Sequence, residues 1–250
     1  VEAREDDGFL PDVDALRARI SEATKAVILN SPSNPTGAVI DAERLSALAR
    51  LAKEHHLIVV SDEIYDQLAY PPKRHVSIVQ AAPELIDQTI IVGGVSKTYS
   101  MTGWRIGWAV GPQPWIDAMI NVQSHSTSNP TSISQDAALA ALTGDQRSVG
   151  QMRQAFQERR DRMVDGLNRL PGLRCTTPGG AFYAWCNVAA LGQSAAVTAA
   201  QWLEDALVAT VPGEGFGSSE FIRFSFAASV QTIDEGLKRL ANWLKQRKER

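Results

Sequence analysis

The chain has 250 residues, 44% apolar and 21% charged, with a formal charge of −3. That length can bury one large core or two modest ones, and a near-neutral balance leaves no footprint for nucleic acid, since the basic cluster Lys245, Arg247, Lys248 and Arg250 is only a helix end. No apolar run reaches the roughly 20 residues that span a bilayer, the acidic start is unlike a targeting peptide, and two cysteines, Cys175 and Cys186, support neither a disulfide framework nor a zinc site. The expectation is a soluble cytoplasmic protein, and the start at Val1 without methionine reads as a cut.

Short, β-branched-rich apolar runs at Ala26–Leu29, Leu57–Val60, Thr89–Val92 and Ile106–Val110 predict strands buried on both faces. Between the first two, Asp41 is placed to cap a helix whose Leu45, Leu48, Ala49 and Ala52 recur at helical spacing. Strand, helix, strand in that order implies right-handed crossovers and a mainly parallel sheet. The third and fourth runs are separated by Gly93 to Arg105, so the fourth strand is antiparallel or follows a long functional loop. Pro114 opens a further helix and residues 132–142 read as another.

From about Gly150, Met152, Phe156, Met163, Leu167 and Leu170 mark the stripe of a long helix, and the charge run Glu158 to Arg162 reads as its solvated face. Strands are expected at 173–176, 181–186 and 221–227, with helices near 195–208 and 231–247. The last has Asp234 and Glu235 in its first turn and Lys245 and Arg247 in its last, matching the helix dipole. The expected organisation is a three-layer α/β domain over residues 1–150 and a smaller α+β domain over 151–250.

Ligands of an open α/β sheet bind beyond the carboxyl ends of its strands. The residues there are unusually polar: Asn34 after the first run, Asp62 and Tyr65 after the second, Ser96 and Lys97 after the third. Lys97 follows a buried strand and two glycines, where desolvation favours the neutral amine that condenses with aldehydes, unless it snorkels out to water. Arg105, at the start of the fourth strand, is a phosphate clamp with a serine hydroxyl or else a surface arginine. Asp62 is a carboxylate for a protonated heteroaromatic nitrogen or else a helix cap. Arg223 stands on the less apolar face of an alternating strand, as a solvated edge residue or a carboxylate site. The four histidines, His55, His56, His75 and His125, have no partner at catalytic or ligand spacing.

Taken together, Asn34-Pro-Thr-Gly37, Ser61-Asp-Glu-Ile-Tyr65 and Ser96-Lys-Thr-Tyr-Ser-Met-Thr-Gly-Trp-Arg-Ile-Gly107 resemble the class I/II pyridoxal-phosphate-dependent aminotransferases, the aspartate aminotransferase-like branch of fold type I. The likeness runs in order to the C-terminus through Pro178-Gly-Gly-Ala-Phe-Tyr183, Val211-Pro-Gly213 and Arg223. The resemblance implies pyridoxal 5'-phosphate bound to Lys97 as an internal aldimine, with Lys97 then shuttling a proton. It further implies Asp62 on the pyridinium nitrogen, Tyr65 and Asn34 on the ring 3′ oxygen, Ser96 and Arg105 on the phosphate, and Arg223, with Asn34, at the substrate α-carboxylate. The implied reaction moves an amino group between an L-amino acid and a 2-oxo acid in ping-pong fashion, in a homodimer.

Family members also carry an N-terminal segment ahead of the region matching Val1, with the first strands of the large domain, a phosphate-binding glycine loop and a ring-stacking aromatic. None of these is visible in this sequence. The competing expectation is a non-catalytic cofactor-binding or structural module, such as a regulator's effector domain or a partner-dependent fragment. A lyase or synthase on the same scaffold is a third.

Overall fold

A computed structural model describes residues 1–248, so Arg250 of the basic cluster lies outside the described residues. They form two compact units: Val1–Ser33 with Ala38–Gln151, and Asn34–Gly37 with the chain from Met152 onward.

The first unit runs α1 (Val13–Arg17), β1 (Ala26–Asn30), α2 (Ala42–Glu54), β2 (Ile58–Asp62), α3 (Ile78–Ala81), β3 (Thr89–Gly94), α4 (Val95–Thr98), β4 (Gly107–Val110), α5 (Gln113–Ser124) and α6 (Ser132–Thr143). Its sheet has the order β1-β2-β3-β4, parallel in the first two pairings and antiparallel in the third. The connection from Gly93 to Arg105 therefore turns the chain back along β3. The Asp41 carboxylate accepts from the Arg44 amide at 2.9 Å and starts α2. Leu45, Leu48, Ala49 and Ala52 of that helix are buried with Leu29, Val59, Ile78 and Leu85 in one core.

That core covers one face only. Ile28, adjacent to Leu29 and so on the opposite face of β1, is 73% exposed. Trp108 and Val110 of β4, in register with Gly93 and Ile91 on the Leu29 face, are exposed as well. The expectation of strands buried on both faces is thus corrected: α2 and α3 pack on the Leu29–Val59 side of the sheet. α5 buries none of its side chains, and its Met119, Ile120 and Val122 are exposed.

α7 (Arg147–Asn168) leads into the second unit, which continues with β5 (Arg174–Cys175), β6 (Tyr183–Asn187), α8 (Ala195–Ala206), β7 (Val211–Pro212), β8 (Phe221–Ser225) and α9 (Val230–Lys248). The sheet order is β5-β6-β8-β7, antiparallel throughout. Alternation along β8 holds, with Ile222, Phe224 and Phe226 buried. Trp202 of α8 is fully buried against Phe224 and meets Trp243 of α9 edge-on at 6.2 Å.

Two local expectations change. The strand expected at 173–176 shortens to β5, where the Asn168 side chain pairs with both the amide and the carbonyl of Cys175. Asp234 and Glu235 fall in the second turn of α9 rather than its first, and their partners are arginines, Arg162 of α7 and Arg239 one turn on.

Adjacent side chains give a sharp test of this packing. Leu85 is fully buried and Ile86 is 62% exposed. Leu85→Ala is expected to cost about 3 kcal/mol and Ile86→Ala about 0.5 kcal/mol or less, read from denaturant unfolding of the two variants; equal losses contradict the placement of the core.

Candidate active site

The carboxyl ends of β2 and β3 lie side by side, with Asp62 paired in register to Asn30 on one side and Val92 on the other. Asp62 belongs to the strand itself. Its carboxylate accepts from the Ile64 amide at 3.1 Å, which closes a turn and not a helix cap. The Glu63 amide donates to the Val92 carbonyl, and Tyr65, in that turn, is buried. One strand further, β3 ends at Gly94 and the single turn of α4 presents Ser96 and Lys97, both half-buried.

The two segments are tied together. Thr98 of α4 donates to the Asp66 carboxylate at 3.3 Å, and Ile64 packs so closely over Gly94 that a Cβ there would meet its Cδ1 at 2.9 Å. Arg105 adopts a left-handed conformation just before β4 and is exposed. Its guanidinium donates to the Thr102 carbonyl at 3.1 Å, and the Thr102 hydroxyl donates to the Ser96 carbonyl at 3.0 Å. The first unit thus gathers Asp62, Tyr65, Ser96, Lys97 and Arg105 around one edge of its sheet.

Asn34 and Arg223 belong to the second unit. Arg223 of β8 is not a solvated edge residue: its guanidinium lies over the Tyr183 ring at 4.5 Å and the Phe216 ring at 5.1 Å. It donates to the Asn34 side-chain carbonyl at 2.7 Å. The peptide bond between Asn34 and Pro35 is cis.

The structure also shows polar groups that sequence reasoning missed. His75, which has no partner at catalytic or ligand spacing in the sequence, has Nε2 3.1 Å from the Glu63 carboxylate, which also accepts from the Ser61 and Ser77 hydroxyls at 2.8 Å each. Ser61 and Glu63 lie two apart where β2 ends, a spacing that sets them on one side of the chain while it stays extended. Arg160, assigned to a solvated face, is only 7% exposed and donates to the Pro178 carbonyl at 3.2 Å. Its spacing from Phe156, Met163 and Leu167 places it on the apolar stripe of α7.

Among the described residues no three histidine, cysteine or acidic side chains are grouped to hold a metal, and no helix is long and apolar enough to cross a membrane.

The family model for aminotransferase class I and II matches residues 1–240. The chain belongs to this family. It is 47% identical to an aspartate aminotransferase of Geobacillus stearothermophilus over 99% of its own length and 64% of that relative's. An aspartate aminotransferase of Bacillus subtilis is 44% identical over 98% of this chain and 64% of its own length. The solved aromatic aminotransferase of Pyrococcus horikoshii superposes with a TM-score of 0.94 at 36% identity, covering 98% of this chain and 66% of that one. The chain therefore spans about two-thirds of the length of these class I and II aminotransferases, and it shares their fold type I architecture.

Burial alone raises the pKa of Glu63, but hydrogen bonds from His75, Ser77 and Ser61 and the attraction of His75 outweigh it and hold the carboxyl below the usual glutamate value of 4.5. A lowered folded-state pKa stabilises the fold fully above the unfolded value, and that contribution is lost as pH falls through the folded one. Glu63→Gln is accordingly expected to destabilise the chain by about 1–3 kcal/mol at pH 7. The gap to the parent chain should close as pH drops below 4.5. Denaturant titrations from pH 7 to pH 3 check this, and a pH-independent gap argues against it.

Proposed function

We propose that this chain carries the lysine, ring-binding and carboxylate-binding residues of a pyridoxal-phosphate-dependent aminotransferase that moves an amino group between an L-amino acid and a 2-oxo acid. The observation that carries the reading is the placement of Lys97 one turn beyond β3, with its helix tied through Thr98 to the turn that follows Asp62. The donor set has the chemistry the cofactor requires: an amine for its aldehyde, a carboxylate for its ring nitrogen, a phenol for its ring oxygen, and a hydroxyl with a guanidinium for its phosphate. When bound, pyridoxal phosphate supplies a conjugated ring that takes up the electron pair left on the substrate Cα.

In this reading the Lys97 amine would hold the cofactor at its aldehyde carbon, with the aldehyde oxygen leaving as water, until the substrate amine takes its place. Once freed, the same nitrogen would act as the base that removes the Cα proton and as the acid that delivers it to the former aldehyde carbon. The Asp62 carboxylate keeps a proton on the ring nitrogen, and the Tyr65 phenol and Asn34 amide bind the ring oxygen. Ser96 and Arg105 hold the phosphate through a hydroxyl and a charge-assisted fork. Arg223, oriented by Asn34 and flanked by Tyr183 and Phe216, binds the α-carboxylate. A cofactor-binding domain over residues 1–150, a smaller domain over 151–250, a cytoplasmic location and a second copy of this chain as partner complete the proposal. The exposed apolar side chains of α5 support that partner.

The names of the relatives support the substrate class at the level of a shared carboxylate: one is an aspartate and another an aromatic aminotransferase. Addition of pyridoxal phosphate to the chain is expected to give a visible absorption band that Lys97→Ala abolishes and that glutamate or aspartate bleaches. Arg223→Ala is expected to weaken amino-acid capture at least tenfold, the loss of a paired charge contact, with cofactor affinity kept. A silent spectrum refutes the proposal, and equal loss of both affinities refutes the role of Arg223.

A further inference from the structure

Arg160 is the one charged side chain among the buried residues described. It projects from the apolar stripe of α7, where an apolar side chain of similar volume would avoid the desolvation of a guanidinium. Its carboxylate partner is its own neighbour Asp161, half exposed, at 2.6 Å. A contact that reaches away from the helix runs from its guanidinium to the Pro178 carbonyl.

Pro178 opens a segment that touches the Asn34–Arg223 pair by two routes. On one side, the Gly180 amide donates to the Gly37 carbonyl at 2.9 Å. Gly37 has a φ of +68°, and a Cβ there would overlap Pro178 Cβ and come within 2.8 Å of the Gly180 carbonyl oxygen. Gly37 ends the turn that begins with Asn34, the acceptor for Arg223. On the other side, the segment runs through Ala181, itself left-handed at φ +55°, into Tyr183, whose ring lies against the Arg223 guanidinium. Pro178–Gly180 is thus held by Arg160 from the helix, and it holds both the hydrogen-bond acceptor and one aromatic wall of Arg223.

We infer that Arg160 is a positioning residue for carboxylate recognition, fixing the Pro178–Gly180 segment so that Asn34 and Tyr183 orient Arg223. The inference rests on the reading of Arg223 as the carboxylate-binding residue. A guanidinium suits the task because its planar fork bonds the Asp161 carboxylate and the Pro178 carbonyl at once, whereas a lysine ammonium presents a single centre.

The experiment uses the full chain with pyridoxal phosphate present and 2-oxoglutarate as the probe, titrated calorimetrically into the parent chain and into Arg223→Lys, Arg160→Met and Arg160→Lys. Arg160→Met keeps the volume and loses the bond. It is expected to weaken 2-oxoglutarate binding roughly 5- to 10-fold, the worth of about one hydrogen bond, and to speed hydrogen exchange at the Gly180 amide, while pyridoxal phosphate affinity stays within about twofold. Arg160→Lys is expected to show a smaller loss in the same sense and serves if the methionine variant does not fold.

Unchanged 2-oxoglutarate affinity in a folded Arg160 variant, beside a weakened Arg223→Lys, overturns the inference alone. Unchanged affinity in Arg223→Lys, or no binding to the parent chain, overturns the reading of Arg223 and the inference with it. Parallel loss of cofactor and 2-oxoglutarate affinity in the Arg160 variants shows a general structural role and also overturns the inference.

Discussion

Parallel pairing of β1 with β2 and of β2 with β3 is the constraint from which the first unit's chemistry follows. Parallel strands in register end together, so the polar residues that come next in sequence are delivered to one edge whatever their distance along the chain. Asp62 and Lys97 are 35 positions apart in sequence. They come to the same end of the sheet because Asp62 closes one strand and Lys97 follows the next, and the Thr98–Asp66 and Ile64–Gly94 contacts then fix the two connections against each other. The antiparallel return of β4 adds Arg105 to the edge that the parallel strands define.

Polar groups at such an edge need partners, and the turn after β2 supplies them in two sets on opposite sides. Asp62 faces away from the helical core, and its carboxylate at the strand end accepts from the Ile64 amide. Ser61 and Glu63 point toward the core side, where Ser77 and His75 complete a closed network. A carboxylate that receives three hydrogen bonds stabilises its own charge and closes the loop from 63 to 77 in the same act. The turn carrying Asp62 and Tyr65 is thereby anchored by a residue on the other side of the sheet.

The order of strands and helices was legible in the sequence because it depends on local pattern: apolar runs, the Asp41 cap and the Leu45–Ala52 stripe each act within a few residues. The strand-end residues were legible for the same reason, through the rule that places ligands beyond carboxyl ends. What escaped was decided by distant partners. Nothing near His75 announces Glu63, 12 positions away. The exposure of Ile28 depends on which face α2 and α3 cover, and a continuous apolar run does not say. Arg160 was readable in principle, since its helical phase sets it among Phe156, Met163 and Leu167, but the surrounding charges mask one inward position in a run of five. Arg223 was half legible: alternation put it on the less apolar face, while its aromatic walls come from Tyr183 and Phe216, outside its own strand.

Arg223 and Arg160 show what two differently held guanidiniums can do in one small domain. The faces of Arg223 are covered by rings, and stacking of this kind engages the π surface without consuming N–H donors. One of its five donors meets Asn34, so the side chain is oriented before any ligand arrives and the fork geometry suited to a carboxylate is kept. Arg160 is instead turned inward, its donors directed to a neighbouring carboxylate and a backbone carbonyl. A buried cation stabilises little on balance, and its worth lies in the geometry it enforces on Pro178–Gly180. Rigid aromatic walls and a clamped turn let a hydrogen bond to the Asn34 side-chain carbonyl set the direction of Arg223. Without that restraint, a flexible arginine would lose rotamer freedom each time it bound a carboxylate.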